Sequence, residues 1–176
     1  MINKKICLLG DFAVGKTSLV RRYVYNRFEE TYLSTIGVHV SRKVVSVEYG
    51  PRTIEVVLML WDVASNNSFE QMRTSYICGV AGAMLVCDLT RPSTLDNLGT
   101  YVTLLRTMNP QASLVIAANK SDAVENSPLL LPQAEALARR FGIAAFITSA
   151  KHGSMVEPAF QHLAGMLAGN PAHTIG

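Results

Sequence analysis

Gly10-Asp11-Phe12-Ala13-Val14-Gly15-Lys16-Thr17 reads G-x-x-x-x-G-K-[ST], the pattern of a phosphate-binding loop. The run before it, Lys5-Ile6-Cys7-Leu8-Leu9, is short and apolar, as a strand buried on both faces of a parallel sheet must be. The run after it, Thr17 to Val24, has helical periodicity. Strand, glycine loop and helix supply the context the motif needs. Gly10 and Gly15 allow backbone angles that aim successive N–H groups at anionic oxygens, and the helix N-terminus adds partial positive charge. Lys16 is expected to reach the β- and γ-phosphates, and the Thr17 hydroxyl to bind Mg²⁺. On this stretch alone a glycine turn followed by an exposed lysine stays open as the alternative. The loop also does not say which nucleotide binds.

Composition narrows the classes around it. The chain has 176 residues, which suits one domain spanning 1-176 with a full core. With 49% apolar residues, burial suffices for a globular fold. A net charge of +3 without a Lys/Arg cluster is too weak to argue for a nucleic acid or an anionic membrane as partner, and no nucleic acid is expected. No apolar run approaches the roughly 18 residues of a membrane span, and Met1 to Lys5 runs straight into the first strand, so no signal peptide fits. Cys7, Cys78 and Cys87 are odd in number and lack metal-ligand spacing, which points to a reduced, cytoplasmic compartment.

Taken in order, the first helix is expected from Lys16 to Asn26, followed by a long aperiodic loop, Arg27 to Gly37. Val38 to Val47 and Thr53 to Trp61 read as strands joined at Tyr49-Gly50-Pro51-Arg52, an antiparallel hairpin that Asp62 terminates. Val63 to Thr74 is polar and irregular, with a weak helix signal near Ser68. Then strands and helices alternate. Ala83 to Asp88 and Leu114 to Asn119 are strands, with one helix from Thr90-Arg91-Pro92-Ser93 to Met108 between them. Ser127 to Pro132 is a connection, Gln133 to Phe141 a helix, Ile143 to Thr148 a strand and Met155 to Ala168 the last helix. Six strands in this order predict an α/β fold, a doubly wound, mostly parallel sheet with one antiparallel edge strand. Ligands of such sheets lie outside the carboxyl ends of the strands, where Gly10 to Thr17, Asp62, Asn119 to Asp122 and Ser149 to Lys151 all fall.

Asn119-Lys120-Ser121-Asp122 names a base. The two carboxylate oxygens of Asp122 match the adjacent N1–H and N2 amine donors of guanine, whereas adenine presents an unpaired acceptor at N1. Asn119 can satisfy the N7 side and tie neighbouring loops, and the Lys120 stem can lie along the base plane. Thr148-Ser149-Ala150-Lys151 ends the next strand, where the Ala150 N–H can meet the guanine O6. Ordinary polar turns after each strand are the alternative for either stretch by itself. Their order behind a phosphate loop argues against it.

With these motifs in hand, the chain resembles a small GTPase of the Ras superfamily, a P-loop NTPase, from Lys4 to about Ala168. Tyr32-Leu33-Ser34-Thr35-Ile36-Gly37-Val38 and Leu60-Trp61-Asp62 make it most similar to the Rab branch. The resemblance implies GTP/GDP as ligand, held by Asp11, Ala13, Val14, Gly15, Lys16, Thr17, Ser18, Asn119, Lys120, Asp122, Ser149, Ala150 and Lys151. It implies Phe28 across the guanine face and Tyr32 over the phosphates. It implies Mg²⁺ on Thr17 and Thr35, with Asp62 acting through water. Thr35 binds only when the γ-phosphate and Mg²⁺ draw its loop inward. Catalysis would rest on Lys16, Thr35 and Asn66. Effector proteins would meet the two switch segments and an apolar patch of Ile36, Val40, Trp61 and Tyr76, with an exchange factor and an activating protein as further partners of a monomer. Val40 stands where the Rab branch usually has phenylalanine.

Four departures from the family pattern bear on function. Phe12 replaces a small residue in the phosphate loop. Ser65, which the resemblance also implies among the GTP-binding residues, stands where the family has the glycine whose N–H meets the γ-phosphate, and Asn66 where it has glutamine, in Asp62-Val63-Ala64-Ser65-Asn66. Beyond Gly169, Asn170 to Gly176 holds no cysteine, so no prenyl anchor is expected, and membranes are reached only through a partner or a missing tail. Three readings compete: a switch with slow GTP hydrolysis, a GTP-binding scaffold with negligible hydrolysis, and another kind of P-loop phosphotransferase. Asn119 to Asp122 argues against the third. The first two differ only at Phe12, Ser65 and Asn66.

Overall fold

The computed structural model describes residues 2–29, 35, 37–64, 76–124 and 130–169. Six strands form one sheet: β1 (Ile2–Leu9), β2 (Val38–Tyr49), β3 (Arg52–Val63), β4 (Gly82–Asp88), β5 (Ser113–Asn119) and β6 (Ala144–Ile147). The order across it is β2-β3-β1-β4-β5-β6. Only the β2–β3 pair is antiparallel, so the mostly parallel sheet with one antiparallel edge is as the sequence predicts. Five α-helices belong to the described residues: α1 (Lys16–Tyr25), α2 (Pro92–Asp96), α3 (Leu98–Met108), α4 (Leu130–Phe141) and α5 (Val156–Leu167).

The continuous apolar runs of the inner strands are explained by helices on both faces. Side chains alternate across a strand, and the alternation sorts the core in two. Ile6 and Leu8 of β1, Met84 and Val86 of β4, and Val115 and Ala117 of β5 pack with Leu19 and Tyr23 of α1 and Phe160 and Leu163 of α5. Cys7, Leu85, Cys87, Ile116 and Ala118 face the other way, onto Leu98, Val102 and Leu105 of α3 and Ala134 and Ala138 of α4. Tyr23 stacks on Phe160 with ring centroids 3.9 Å apart, and the Lys43 ammonium of β2 lies 3.7 Å above the Tyr23 ring. Buried among apolar neighbours, the Cys7 and Cys87 thiols are both pushed up to about 12.

Several boundaries differ from expectation; β1 starts at Ile2 rather than Lys5, and β2 runs on to Tyr49. The single helix over 90–108 is divided at Asn97, where the Thr100 N–H bonds the Asn97 carbonyl three residues back and tightens the turn. The fourth helix starts at Leu130 rather than Gln133. Pro132 falls in its first turn, where a missing N–H breaks no intrahelical bond. Asp62 does not terminate β3. It lies inside the strand, in register with Leu8 of β1 and His39 of β2, which holds its carboxylate at a fixed height beside the phosphate loop.

Candidate functional site

The carboxyl ends of β1, β3, β4, β5 and β6 deliver loop 10–15, Asp62, Asp88, Asn119 and Thr148–Lys151 to one edge of the sheet. Gly10 has φ +148, and a Cβ there would lie 2.1 Å from the Val86 carbonyl of β4. Gly15 has φ +103, and its Cβ would lie 2.3 Å from Asn119 Nδ2. These contacts, more than freedom of φ, explain both glycines. Ala13 adopts φ 60, the left-handed region that a side chain disfavours. Gly15 caps α1 without a side-chain hydrogen bond, so no side chain competes for the first-turn N–H groups.

Lys16 is buried and donates to the carbonyls of Gly10 at 2.8 Å and Asp11 at 3.0 Å. Burial pushes its ammonium down to about 8, against the pull of the nearby Asp62 and Asp11 carboxylates. Thr17 Oγ1 sits 2.7 Å from Thr35 Oγ1 and donates to Asp62 Oδ2. Asp62 is buried, and its Oδ1 has no hydrogen-bond partner among the described residues. Burial raises its pKa, with the Thr17 hydrogen bond and the Lys16 charge opposing. Two hydroxyls and an orphaned carboxylate oxygen form a hard-oxygen set of the kind Mg²⁺ takes, so the residues present fit this ion. A cavity of about 460 Å³ opens beside them, lined also by Arg21, Arg27 and His39.

Asn119 joins the two halves of the site. Its Nδ2 donates to the Val14 carbonyl at 3.0 Å, and its Oδ1 accepts from Thr148 Oγ1 at 3.3 Å and the Ala150 N–H at 3.2 Å. The loop-tying role expected of Asn119 is therefore seen. The Ala150 N–H, expected to face a base oxygen, is here bonded to Asn119. Asp122 Oδ1 accepts from Ser149 Oγ at 2.6 Å, which sets the orientation of the carboxylate. Lys120 has φ 65 and sends Nζ to Asp88 Oδ2 at 2.7 Å. Lys151 is exposed, and Phe28 packs partly buried against the α1–α5 core.

Several polar residues of this edge escaped sequence reasoning. Asp88 is buried, and its carboxylate accepts from Thr90, Arg91 and Lys120. Burial opposes its charge, but the Lys120 and Thr90 hydrogen bonds outweigh that and hold its pKa below the usual carboxylate value. Its place at the end of a buried strand was a usable signal. Asn97 and Tyr101 donate to the Asp11 carboxylate at 2.7 and 3.3 Å. Arg22 of α1 donates to the Ala150 carbonyl at 2.8 Å and to that of Lys151. Helical periodicity says nothing of such reach.

Tyr32, Ile36, Ser65 and Asn66 lie outside the described residues. Of the expected apolar patch, Val40 is exposed and pairs across the ladder with Trp61. Trp61 and Tyr76 are half-buried, and Lys5 Nζ stands 4.1 Å over the Trp61 ring. No helix among the described residues is long and apolar enough to cross a membrane.

Comparison with known proteins gives matches over most of the chain. The model of the Ras family matches residues 5–168. Ras-related protein Rab-13 of Mesocricetus auratus is 36% identical over 162 residues, covering 91% of this chain and 77% of that protein. Its Bos taurus counterpart is 35% identical over the same shares.

Proposed function

The chain belongs to the Ras family of small GTPases, Rab-like among them, and from that premise we propose a guanine-nucleotide switch in a single G domain that binds GTP and GDP with Mg²⁺ and hydrolyses GTP slowly. The observation that carries the reading is the buried Asn119 side chain, bonded at once to Val14 of the phosphate loop and Ala150 of the base loop. It makes one cradle from a phosphate half and a base half.

In this reading the loop N–H groups and the α1 N-terminus bind the phosphates. Lys16 places its charge at the β- and γ-oxygens. Asp122 takes the two guanine donors, with Phe28 and the Lys120 stem against the base. Thr17 and Thr35 would hold Mg²⁺ directly and Asp62 through water. The ion, when bound, neutralises charge developing between the β- and γ-phosphates. Thr35 lies on the loop between α1 and β2, so its engagement supplies the switch. Effectors would read that change through Val40, Trp61 and Tyr76 together with Ile36, and an exchange factor and activating protein would set its timing.

Slow hydrolysis follows from the three departures. Asn66 is one methylene shorter than glutamine, a loss of about 1.5 Å of reach, and misplacement on the order of 1 Å costs about 10²-fold. Phe12 is 53% exposed on the phosphate loop, where an activating arginine would enter. Ser65 replaces a glycine that must swing towards the γ-phosphate. Single-turnover hydrolysis of GTP with Mg²⁺ tests this. Phe12→Gly with Asn66→Gln is expected to recover more rate than either change alone. Wild-type turnover equal to that of GTPases with glycine and glutamine, unmoved in the double variant, would sink it. Absent turnover in both proteins, with GTP bound, favours the scaffold reading.

A further inference from the structure

We propose that Arg91 is a positioning residue that clamps the phosphate loop in its binding shape and couples it to the base loop; the inference rests on the guanine-nucleotide reading above. Arg91 lies between β4 and α2, outside every nucleotide motif. Its planar fork spans two acceptors. Nε donates to Asp88 Oδ2 at 3.0 Å, and Nη2 donates to the Phe12 carbonyl at 2.7 Å. The same Asp88 oxygen accepts Lys120 Nζ at 2.7 Å. One buried carboxylate thus joins the base-loop lysine to the arginine that grips the phosphate loop.

The grip matters because of which peptide it holds. In a trans peptide the C=O and the following N–H point in opposite directions. A donor that fixes the Phe12 carbonyl outward therefore fixes the Ala13 N–H inward. Ala13 is the loop's one non-glycine residue at positive φ, at 60, a conformation that persists only where its surroundings impose it. Neighbouring carbonyls of the loop also have side-chain donors. Lys16 takes those of Gly10 and Asp11, and Asn119 takes that of Val14. Of these three donors only Arg91 lies outside the motifs. Asn97 and Tyr101 hold the Asp11 carboxylate from the same side, so segment 88–101 grips two consecutive loop residues. Two diverging donors on one rigid plane are what arginine has and lysine lacks.

Released from Arg91, the Phe12–Ala13 peptide can turn and withdraw an N–H from the β-phosphate, while the contacts of Asp122 with the base stay. GDP binding and release and GMP binding are to be measured on the full chain, Arg91→Ala, Arg91→Lys and Arg106→Ala. Arg106 bonds the Phe141 carbonyl away from the site and serves as the control. Arg91→Ala is expected to speed GDP release about tenfold and to cut the preference for GDP over GMP by about the same factor. Guanine-over-adenine selectivity should be kept. Arg91→Lys should recover part of the loss, and Arg106→Ala should match wild type. Lys120 still neutralises Asp88 in the alanine variant; should that variant nonetheless fail to fold, Arg91→Lys carries the test through the same ratio. GDP release unchanged in both variants, or GDP and GMP weakened in equal proportion, overturns the clamp. Wild type that binds no guanine nucleotide overturns the proposed function and the clamp with it.

Discussion

At the scale of single residues, two carboxylates show how environment assigns a task. Asp122 is oriented by Ser149 Oγ on Oδ1, yet a carboxylate oxygen has two lone pairs and can accept a base donor as well. Replacing Asp122 with Asn puts an amide donor against the guanine donors. GTP affinity is expected to fall by about 10²–10⁴-fold while xanthosine triphosphate, with an acceptor at C2, gains. Competition binding checks this, and equal competition by ATP against wild type would refute the guanine assignment. Asp88 is a different case, a carboxylate held by its partners below the ordinary value of 3.8. A depressed folded-state pKa gives stability present in full above the unfolded-state value and lost as pH falls through the folded one. Asp88→Asn is therefore expected to lower stability at neutral pH by about 1–3 kcal/mol and to flatten the acid limb below about pH 4. Thermal unfolding from pH 7 to 3 reads both effects.

At the scale of elements, the turn from β1 into α1 is set by what lies behind it. Its backbone passes so close to β4 and β5 that no Cβ fits at Gly10 or Gly15. Gly15→Ala would drive Asn119 Nδ2 from the Val14 carbonyl. We expect a loss of stability of about 1–3 kcal/mol and nucleotide affinity lower by on the order of 10²-fold. Gly50, in the β2–β3 turn at φ 57, has open space where a Cβ would stand. Gly50→Ala should thus cost about 1 kcal/mol from φ alone and leave nucleotide affinity unchanged. Chemical denaturation and GDP binding on the two variants separate backbone strain from damage to the site. Equal affinity loss in both would mean that the Asn119 contact is not what Gly15 protects.

At the scale of the molecule, the site is an edge where five strands end, and ligand binding should stabilise the sheet as a unit. A ligand at a hundred times its Kd adds about 2.7 kcal/mol. For a chain of 176 residues that corresponds to a rise in Tm of about 5–10 °C. GDP with Mg²⁺ is expected to give this shift and ATP none. Asp122→Asn should lose the shift with GDP and regain it with xanthosine diphosphate. A wild-type Tm indifferent to GDP at millimolar concentration would count against the whole reading.

Much of this was legible in the sequence. Apolar runs of strand length alternating with helical periods are local signals, and they dictated a mostly parallel sheet. The phosphate loop and Asn119 to Asp122 are contiguous stretches whose chemistry is complete in a few residues. The rest depended on approach between distant segments. Nothing local in α1 tells that Arg22 reaches the carbonyls of Ala150 and Lys151. Nothing near Pro92 tells that Arg91 holds Phe12, or that the helix after it tightens at Asn97, whose side chain meets Asp11. Period and motif report the faces a segment buries and the groups it carries. Which backbone carbonyl a long side chain finds is decided only when the sheet order β2-β3-β1-β4-β5-β6 sets β4 between the strands that lead into the phosphate loop and the base loop.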